Sequence, residues 1–248
     1  MRTRIAPTPS GYLHIGNCVN ALLVSWIAST DGHIVLRIDD ADQHRYRRSY
    51  AEDIFRTLDW LHIRIDEGPR GATELENDFT QVARRARYLQ VAQQALALDL
   101  AYACACSRQT TECLCDASVS WQPEANALRL QSSNNHPGAV LWRRDDVPAY
   151  HLTSIVDDHD FAITHVVRGD DLREATELQR ELAATLSLDF PQHIRHHPLV
   201  KGADGTKLSK STGASGPLLH TDDLRSDIEL LATRIGKVVD ISPPEQAS

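Results

Sequence analysis

Residues 2–42 read RTRIAPTPSGYLHIGNCVNALLVSWIASTDGHIVLRIDDAD, and this stretch decides the fold. A short apolar segment around Ile5 runs into a loop, Ala6 to Gly11, punctuated by Pro7, Pro9 and Gly11. From about Gly16 to Thr30, Val19, Leu22, Leu23, Trp26 and Ile27 recur at core-facing helical spacing, and Asp31-Gly32 stops the helix. His33 to Ile38 then reads as a buried strand that ends in Asp39, Asp40 and Asp42. Strand, loop, helix, strand within forty-odd residues is the unit from which parallel sheets are built.

The pattern continues outward. Tyr50, Ile54, Phe55, Leu58 and Leu61 predict a second amphipathic helix, and roughly Asp78 to Leu98 predicts a long third one. From Tyr102 to Asn126 the periodicity stops and Cys, Ser, Thr and Gln dominate, which marks an insert. Strands are predicted again at 139–143, 149–156 and 162–167, a helix near Glu174 to Leu186, and a Gly/Lys/Ser loop over Leu199 to Ser215. The expectation is an α/β protein with a Rossmann-type parallel sheet, interrupted by a small metal-bearing insert. Its first half covers 1–101, the insert 102–127 and the second half 128–240.

Composition bounds the function. The chain has 248 residues, 26 Lys+Arg against 34 Asp+Glu, and a formal charge of −8. Bulk charge therefore excludes a protein held to nucleic acid by general attraction; any RNA contact must use a local basic patch. Arg45, Arg47 and Arg48 form one such stretch and Arg84, Arg85 and Arg87 another, although such clusters are ordinarily solvated faces. No apolar run approaches a membrane span and the N-terminus has no secretory core, so the expectation is a cytoplasmic protein without membrane contact.

Three features carry chemistry. His14-Ile15-Gly16-Asn17 sits where a loop enters a helix, and free N–H groups there bind phosphate. His14 could donate to an anionic oxygen and Gly16 lets a nucleotide approach. Alone, the motif is a helix start that contains a histidine. Lys207-Leu208-Ser209-Lys210-Ser211 offers two cations in a Gly/Ser loop, able to clamp phosphates. Alone, it is a solvated basic loop. Cys104, Cys106, Cys113 and Cys115 fall within twelve positions of one another. In a reducing compartment that spacing suggests zinc, with two disulfides or free buried thiols as the alternatives. Cys18, on the first helix, reads as packing. His193, His196 and His197 read as solvent-exposed.

HIGN and KLSKS about 190 residues apart, with a Rossmann-like pattern between them, resemble the paired signatures of class I aminoacyl-tRNA synthetases. Residues 4–11 (RIAPTPSG), 37–42 (RIDDAD) and 164–171 (THVVRGDD) further resemble glutamyl-tRNA synthetase motifs, in order. After Ser211 only 37 residues remain, too few for an anticodon-binding domain. The chain is therefore most similar to the truncated paralogue family, the glutamyl-queuosine tRNA(Asp) synthetases. Cys104-Ala105-Cys106-Ser107-Arg108 also looks like that family's zinc motif.

The resemblance implies an ATP-dependent ligase. It would activate glutamate to an adenylate without tRNA, then attach it to queuosine in tRNA(Asp), as a monomer using ATP, Mg2+ and a structural Zn2+. His14, Lys207 and Lys210 are then the expected catalytic residues, and His14, Gly16, Asn17 and Lys210 the ATP contacts. Arg4, Ala6, Thr8, Asp39, Tyr150 and Arg168 are the expected amino-acid contacts, with Arg4 on the side-chain carboxylate and Asp39 on the α-ammonium. The family's pattern has Glu at position 39, and Asp is one methylene shorter. Outside the resemblance, Asp39 is a strand-end carboxylate, Tyr150 a half-buried strand tyrosine and Arg168 a partner for Asp170 or Asp171. Asp157-Asp158 resembles the family's acidic pair, with a structural or magnesium-proximal role. Two other functions remain open: an adenylate-forming ligase with a non-tRNA acceptor, and a non-catalytic tRNA-binding paralogue.

Overall fold

The computed structural model describes residues 1–29, 31–106, 115, 120–131, 138–200 and 216–244. In chain order the elements are β1 (Arg2–Ile5), α1 (Ile15–Ala28), β2 (His33–Leu36), α2 (Arg48–Trp60) and α3 (Ala72–Glu74), the last running into a π turn, Leu75–Phe79. Then come α4 (Arg85–Ala97), β3 (Ala101–Cys104), β4 (Ala127–Leu130), β5 (Val140–Trp142), α5 (Tyr150–Asp160) and β6 (His165–Gly169). The chain closes through α6 (Arg173–Thr185), β7 (His193–His197) and α7 (Asp222–Val238). It divides into two compact units. The first comprises Met1–Thr80, Ala162–Arg173 and Pro191–Ser248, the second Gln81–Phe161 and Glu174–Phe190.

The first unit is built on parallel strands. β1 pairs with β2, Arg4 opposite Val35, and β6 pairs with β7, Arg168 opposite His196. The two ribbons are stitched by Thr164, whose N–H donates to the Arg2 carbonyl at 2.9 Å and whose Oγ1 accepts from the Arg2 N–H at 3.0 Å. On the far side of β2, Glu67 adds a parallel bridge to Val35. Gly68 follows with φ +114°, where a Cβ would lie 2.2 Å from the Leu36 carbonyl oxygen, so only glycine lets the chain pass. α1 buries Cys18, Val19, Leu22, Leu23 and Val24 against this layer, with Ile228 and Ala232 of α7 in the same core. His220 closes the unit by stacking on Trp60 at 4.7 Å, its Nε2 3.1 Å from Thr57 Oγ1.

The second unit carries an antiparallel sheet, β3-β4-β5, whose core gathers Tyr88, Leu128, Leu141, Trp142, Leu152, Ile155 and Leu182. Buried Asp157 is its polar centre. It accepts from Gln81 Nε2 and Arg84 Nε, each at 2.8 Å, and from the Tyr88 hydroxyl at 2.8 Å. Burial, more than that carboxylate, pushes the Tyr88 hydroxyl well above its ordinary range.

Four expectations are corrected. Residues 149–156, read as a strand, form helix α5: Leu152, Ile155 and Val156 have helical spacing, but Thr153, Ser154, Asp157 and Asp158 are buried too, which hides the period. The long helix over 78–98 is two segments parted at Thr80, which is extended (φ −67°, ψ 147°). Its break lets Gln81 and Arg84 reach Asp157. Strand 162–167 starts later, at His165, because Ala162 turns the chain with φ 51°. His193 to His197 are strand β7, and His197 is buried, its Nε2 3.2 Å from Asn20 Oδ1. Helix α7 had no counterpart in the sequence reading. No helix among the described residues is long and apolar enough to cross a membrane.

His165 and His193 stack at 4.3 Å across β6 and β7. Burial first, then His193, the N-terminal ammonium and Arg195, lower the His165 pKa from its ordinary 6.5. The folded state thus resists a proton that the unfolded chain accepts. Stability from this source is complete above about pH 6.5 and declines as pH falls through that value. Urea unfolding at pH 7.5 and 5.5 should show a drop that shrinks in His165→Gln; a drop of unchanged size would contradict the assignment.

Candidate functional site

Every amino-acid contact expected from the first half of the chain sits at the carboxyl end of the first unit's parallel strands, where open α/β sheets bind ligands. Two backbone bonds bring the loops together. Arg37 N–H donates to the Ile5 carbonyl at 3.0 Å and Asp39 N–H to the Pro7 carbonyl at 2.9 Å. The loop after β1, with Ala6 and Thr8, therefore lies beside the loop after β2, with Asp39. Arg4, on β1, and Arg168, on β6, are each only 5% exposed. Two guanidinium groups buried in one unit are a receptive environment for carboxylates. Asp170 pairs with Arg173 at 2.5 Å.

Asp39 is not simply an open acceptor. Arg37 Nε donates to its Oδ1 at 2.7 Å and a terminal guanidinium nitrogen to its Oδ2 at 3.3 Å. Both side chains are nearly buried, 5% and 9% exposed. The shorter aspartate is thus held back against its own strand by a two-point ion pair.

At the adjoining start of α1, the Asn17 Oδ1 accepts from the His14 N–H at 3.0 Å, while the His14 carbonyl accepts from Asn17 N–H at 2.8 Å. The Asn17 side chain caps the helix. The His14 ring folds over Gly16: a Cβ there would meet imidazole Cε1 at 3.0 Å and Nδ1 at 3.1 Å. A side chain at this place would force the imidazole to shift by a few tenths of an ångström. Asp53 was not singled out by sequence reasoning, yet its Oδ2 accepts from the Leu13 N–H at 3.0 Å. Lys207 and Lys210 fall outside the described residues.

In the second unit, Tyr150 is the first residue of α5 and 41% exposed, on a helix rather than the expected strand. The thiols of Cys104, Cys106 and Cys115 lie within 4.8 Å of one another. Cys106 Sγ is 3.4 Å and Cys104 Sγ 3.9 Å from Cys115 Sγ, and the Ala105 N–H reaches Cys115 Sγ at 3.2 Å. A tetrahedron with zinc–sulfur bonds of about 2.3 Å has edges of about 3.8 Å, so the donor set fits the ion. Cys113 falls outside the described residues. Arg84, Arg85 and Arg87 are not a solvated basic face: carboxylates of Asp157, Asp146 and Asp160 hold them at 2.8, 2.6 and 2.9 Å. Arg48 is likewise paired, with Glu52 at 3.0 Å and with Glu76.

Comparison with known proteins gives the family. Residues 1–126 and 125–227 match the tRNA synthetases class I (E and Q), catalytic domain. The chain belongs to this family. It is 33% identical to the glutamate–tRNA ligase of Nitrosospira multiformis over 263 aligned positions, covering 90% of this chain and 54% of that protein. A Legionella pneumophila (strain Corby) glutamate–tRNA ligase is 32% identical, covering 86% of this chain and 51% of its own length. The chain thus spans about half the length of these relatives.

A solved Elizabethkingia meningosepticum glutamate–tRNA ligase, in complex with its amino acid, has a TM-score of 0.71 at 25% identity, covering 88% of this chain and 54% of its own. A glutamate–tRNA synthetase from Elizabethkingia anophelis gives a TM-score of 0.70 at 26% identity, covering 85% of this chain and 52% of that one. A Mycobacterium tuberculosis methionyl-tRNA synthetase, only 10% identical, shares the fold with a TM-score of 0.58 and covers 86% of this chain and 59% of its own. The α/β synthetase fold is therefore shown.

Removing Asp39 leaves the Arg37 charge without this nearly buried carboxylate. Breaking such a pair from one side costs about 3–5 kcal/mol. Asp39→Ala should lower urea stability by that order; a loss under about 1 kcal/mol would show that Arg37 is solvated.

Proposed function

We propose that the chain activates glutamate with ATP to glutamyl-adenylate in the absence of tRNA and passes the glutamyl group to the queuosine base of tRNA(Asp). The observation that carries the first step is the junction of three parts at one sheet end: the Arg4-to-Thr8 loop, Asp39 and the α1 start that bears His14. A family whose relatives are glutamate–tRNA ligases supports glutamate as the acid. The acceptor rests on the sequence resemblance alone.

In this reading Arg4 pairs with the side-chain carboxylate as a planar two-point donor. Asp39 holds the α-ammonium, and Arg168 completes the amino-acid contacts supplied by the first unit. The α-carboxylate attacks the α-phosphorus of ATP, forming a mixed anhydride and breaking the bond to pyrophosphate. A magnesium ion bound to ATP would supply shielding of the phosphate charge. Little covalent work falls to the protein, so rate comes from positioning and charge stabilisation. Gly16 and Asn17 shape the helix end under the nucleotide. His14 and Lys210 stabilise the pentavalent phosphorus and leaving group, with Lys207 assisting. A hydroxyl of the queuosine ring then displaces AMP.

Cys104, Cys106 and Cys115, with Cys113 as the fourth thiolate expected from the sequence, would hold a zinc ion, and a set of four thiolates would give it a structural role.

A second reading keeps adenylation and changes the acceptor. It draws on Asp39, which is one methylene short and already held by Arg37. The amino acid would then be glutamate or a related one, and the acceptor would be a small amine, peptide or carrier.

Pyrophosphate exchange without tRNA should proceed with glutamate and fall at least a hundredfold in Lys210→Ala, with the thermal midpoint unchanged. Near-normal exchange in that variant would overturn the loop's role. Labelled glutamate should then load tRNA(Asp) carrying queuosine but not the same tRNA with guanosine; equal loading of both would overturn the acceptor.

Purified protein should contain one zinc per chain by a chromogenic chelator, and Cys115→Ser should lose it with a lower thermal midpoint. Metal-free protein of unchanged stability would contradict the zinc assignment.

A further inference from the structure

Asp53 lies in the middle of α2 with no solvent exposure. Its helix neighbours Ala51, Ile54 and Leu58 belong to the hydrophobic core. Burying a carboxylate there is costly, and well-packed apolar residues commonly serve a core better than an ion pair. The position is therefore a poor choice for stability alone. Its Oδ1 accepts from Arg56 at 2.9 Å, an arginine one turn away whose side chain is half exposed. Its Oδ2 does something less local: it crosses forty residues of sequence to accept the backbone N–H of Leu13 at 3.0 Å.

Leu13 immediately precedes His14. Its N–H lies upstream of the first helical turn, and no carbonyl of α1 can satisfy it. His14 itself is extended, with φ −119° and ψ 169°, and its ring is folded over Gly16. The direction of that ring follows from where the chain enters the helix. The field of Asp53 reaches the same turn from below. Cys18, on the first turn of α1, has its thiol pushed up to about 12, by burial first and by Asp53 second. A negative charge under a helix start also suits the positive end of the helix dipole.

We infer that Asp53 is a positioning residue for adenylate formation, fixing the Leu13 backbone so that the His14 imidazole is aimed over the start of α1. The inference rests on the adenylating reading above and adds a residue to it. Asp53 touches no substrate. It acts through the turn, and errors of an ångström in such a group cost up to a hundredfold in rate.

The test is a double-mutant cycle in pyrophosphate exchange on the full chain. Asp53→Ala should lower kcat at least tenfold, with the glutamate KM within twofold. Asp53→Asn keeps an oxygen for Leu13 and should stay within about threefold of wild type. In a His14→Gln background, Asp53→Ala should lower kcat less than twofold further, because the group it aims is gone. A purely structural residue would lower kcat by the same factor in both backgrounds, and that result, or unchanged kcat in Asp53→Ala, overturns the inference.

Amide hydrogen exchange supplies a readout independent of activity. Leu13 should lose protection in Asp53→Ala while amides in the middle of α1 keep theirs; retained Leu13 protection contradicts the anchor. If Asp53→Ala does not fold, Asp53→Asn decides: a tenfold loss there, with Leu13 still protected, refutes the backbone anchor as the cause. Wild-type protein that exchanges pyrophosphate with no amino acid removes the adenylating reading, and the catalytic part of this inference falls with it. The Leu13 protection data then still report separately whether the anchor exists.

Discussion

Two backbone hydrogen bonds beyond the sheet, Arg37 N–H to Ile5 and Asp39 N–H to Pro7, fix where everything else at the candidate site can be. Parallel strands end side by side, so the loops that leave them start side by side. Here the register continues past the strands for one more pair of bonds. The proline-rich segment 6–9 and the acidic segment 39–42 are thereby held against each other before any ligand arrives. Pro7 and Pro9 contribute by having few conformations to lose. Had the loops been free, placing an ammonium and a carboxylate between them would require ordering both at the moment of binding.

Charge is arranged around that junction with little slack. Arg4 and Arg168 are buried cations on neighbouring parts of one parallel layer, and Asp39 is a nearly buried anion fastened to Arg37. In the proposed reading such an arrangement would select substrates by charge, because a ligand without matching charges would desolvate these buried ions without compensating them. The same logic explains Asp157 in the second unit, where a buried carboxylate takes three donors, Gln81, Arg84 and Tyr88. There the result is a polar core in which these three donors come from one short stretch of chain, Gln81 to Tyr88.

The sequence was most legible where one physical signal acted alone. The apolar runs at Ile5 and His33–Ile38, with the periodic helix between them, were read as the parallel unit that the structure contains. Reading failed where tertiary context replaced periodicity. Helix α5 buries polar and apolar residues alike, so its β-branched Thr153, Ile155 and Val156 suggested a strand. Strand β7 is written in histidines and an arginine, and looks like surface until His197 is found under Asn20. Asp53 gives no local sign of its role, because its partner is a main-chain N–H forty residues away. The thiol spacing suggests a metal motif, and the three described thiols, Cys104, Cys106 and Cys115, converge.

The central claim is that the carboxyl end of the first unit's strands receives the adenylate of an acidic amino acid. A crystal structure with a non-hydrolysable sulfamoyl analogue of glutamyl-adenylate tests it most directly. The account predicts the side-chain carboxylate on Arg4, the α-ammonium within hydrogen-bond distance of Asp39, and the adenosine over the start of α1 beside His14. An analogue bound with its ammonium away from Asp39, or bound elsewhere on the protein, would contradict it.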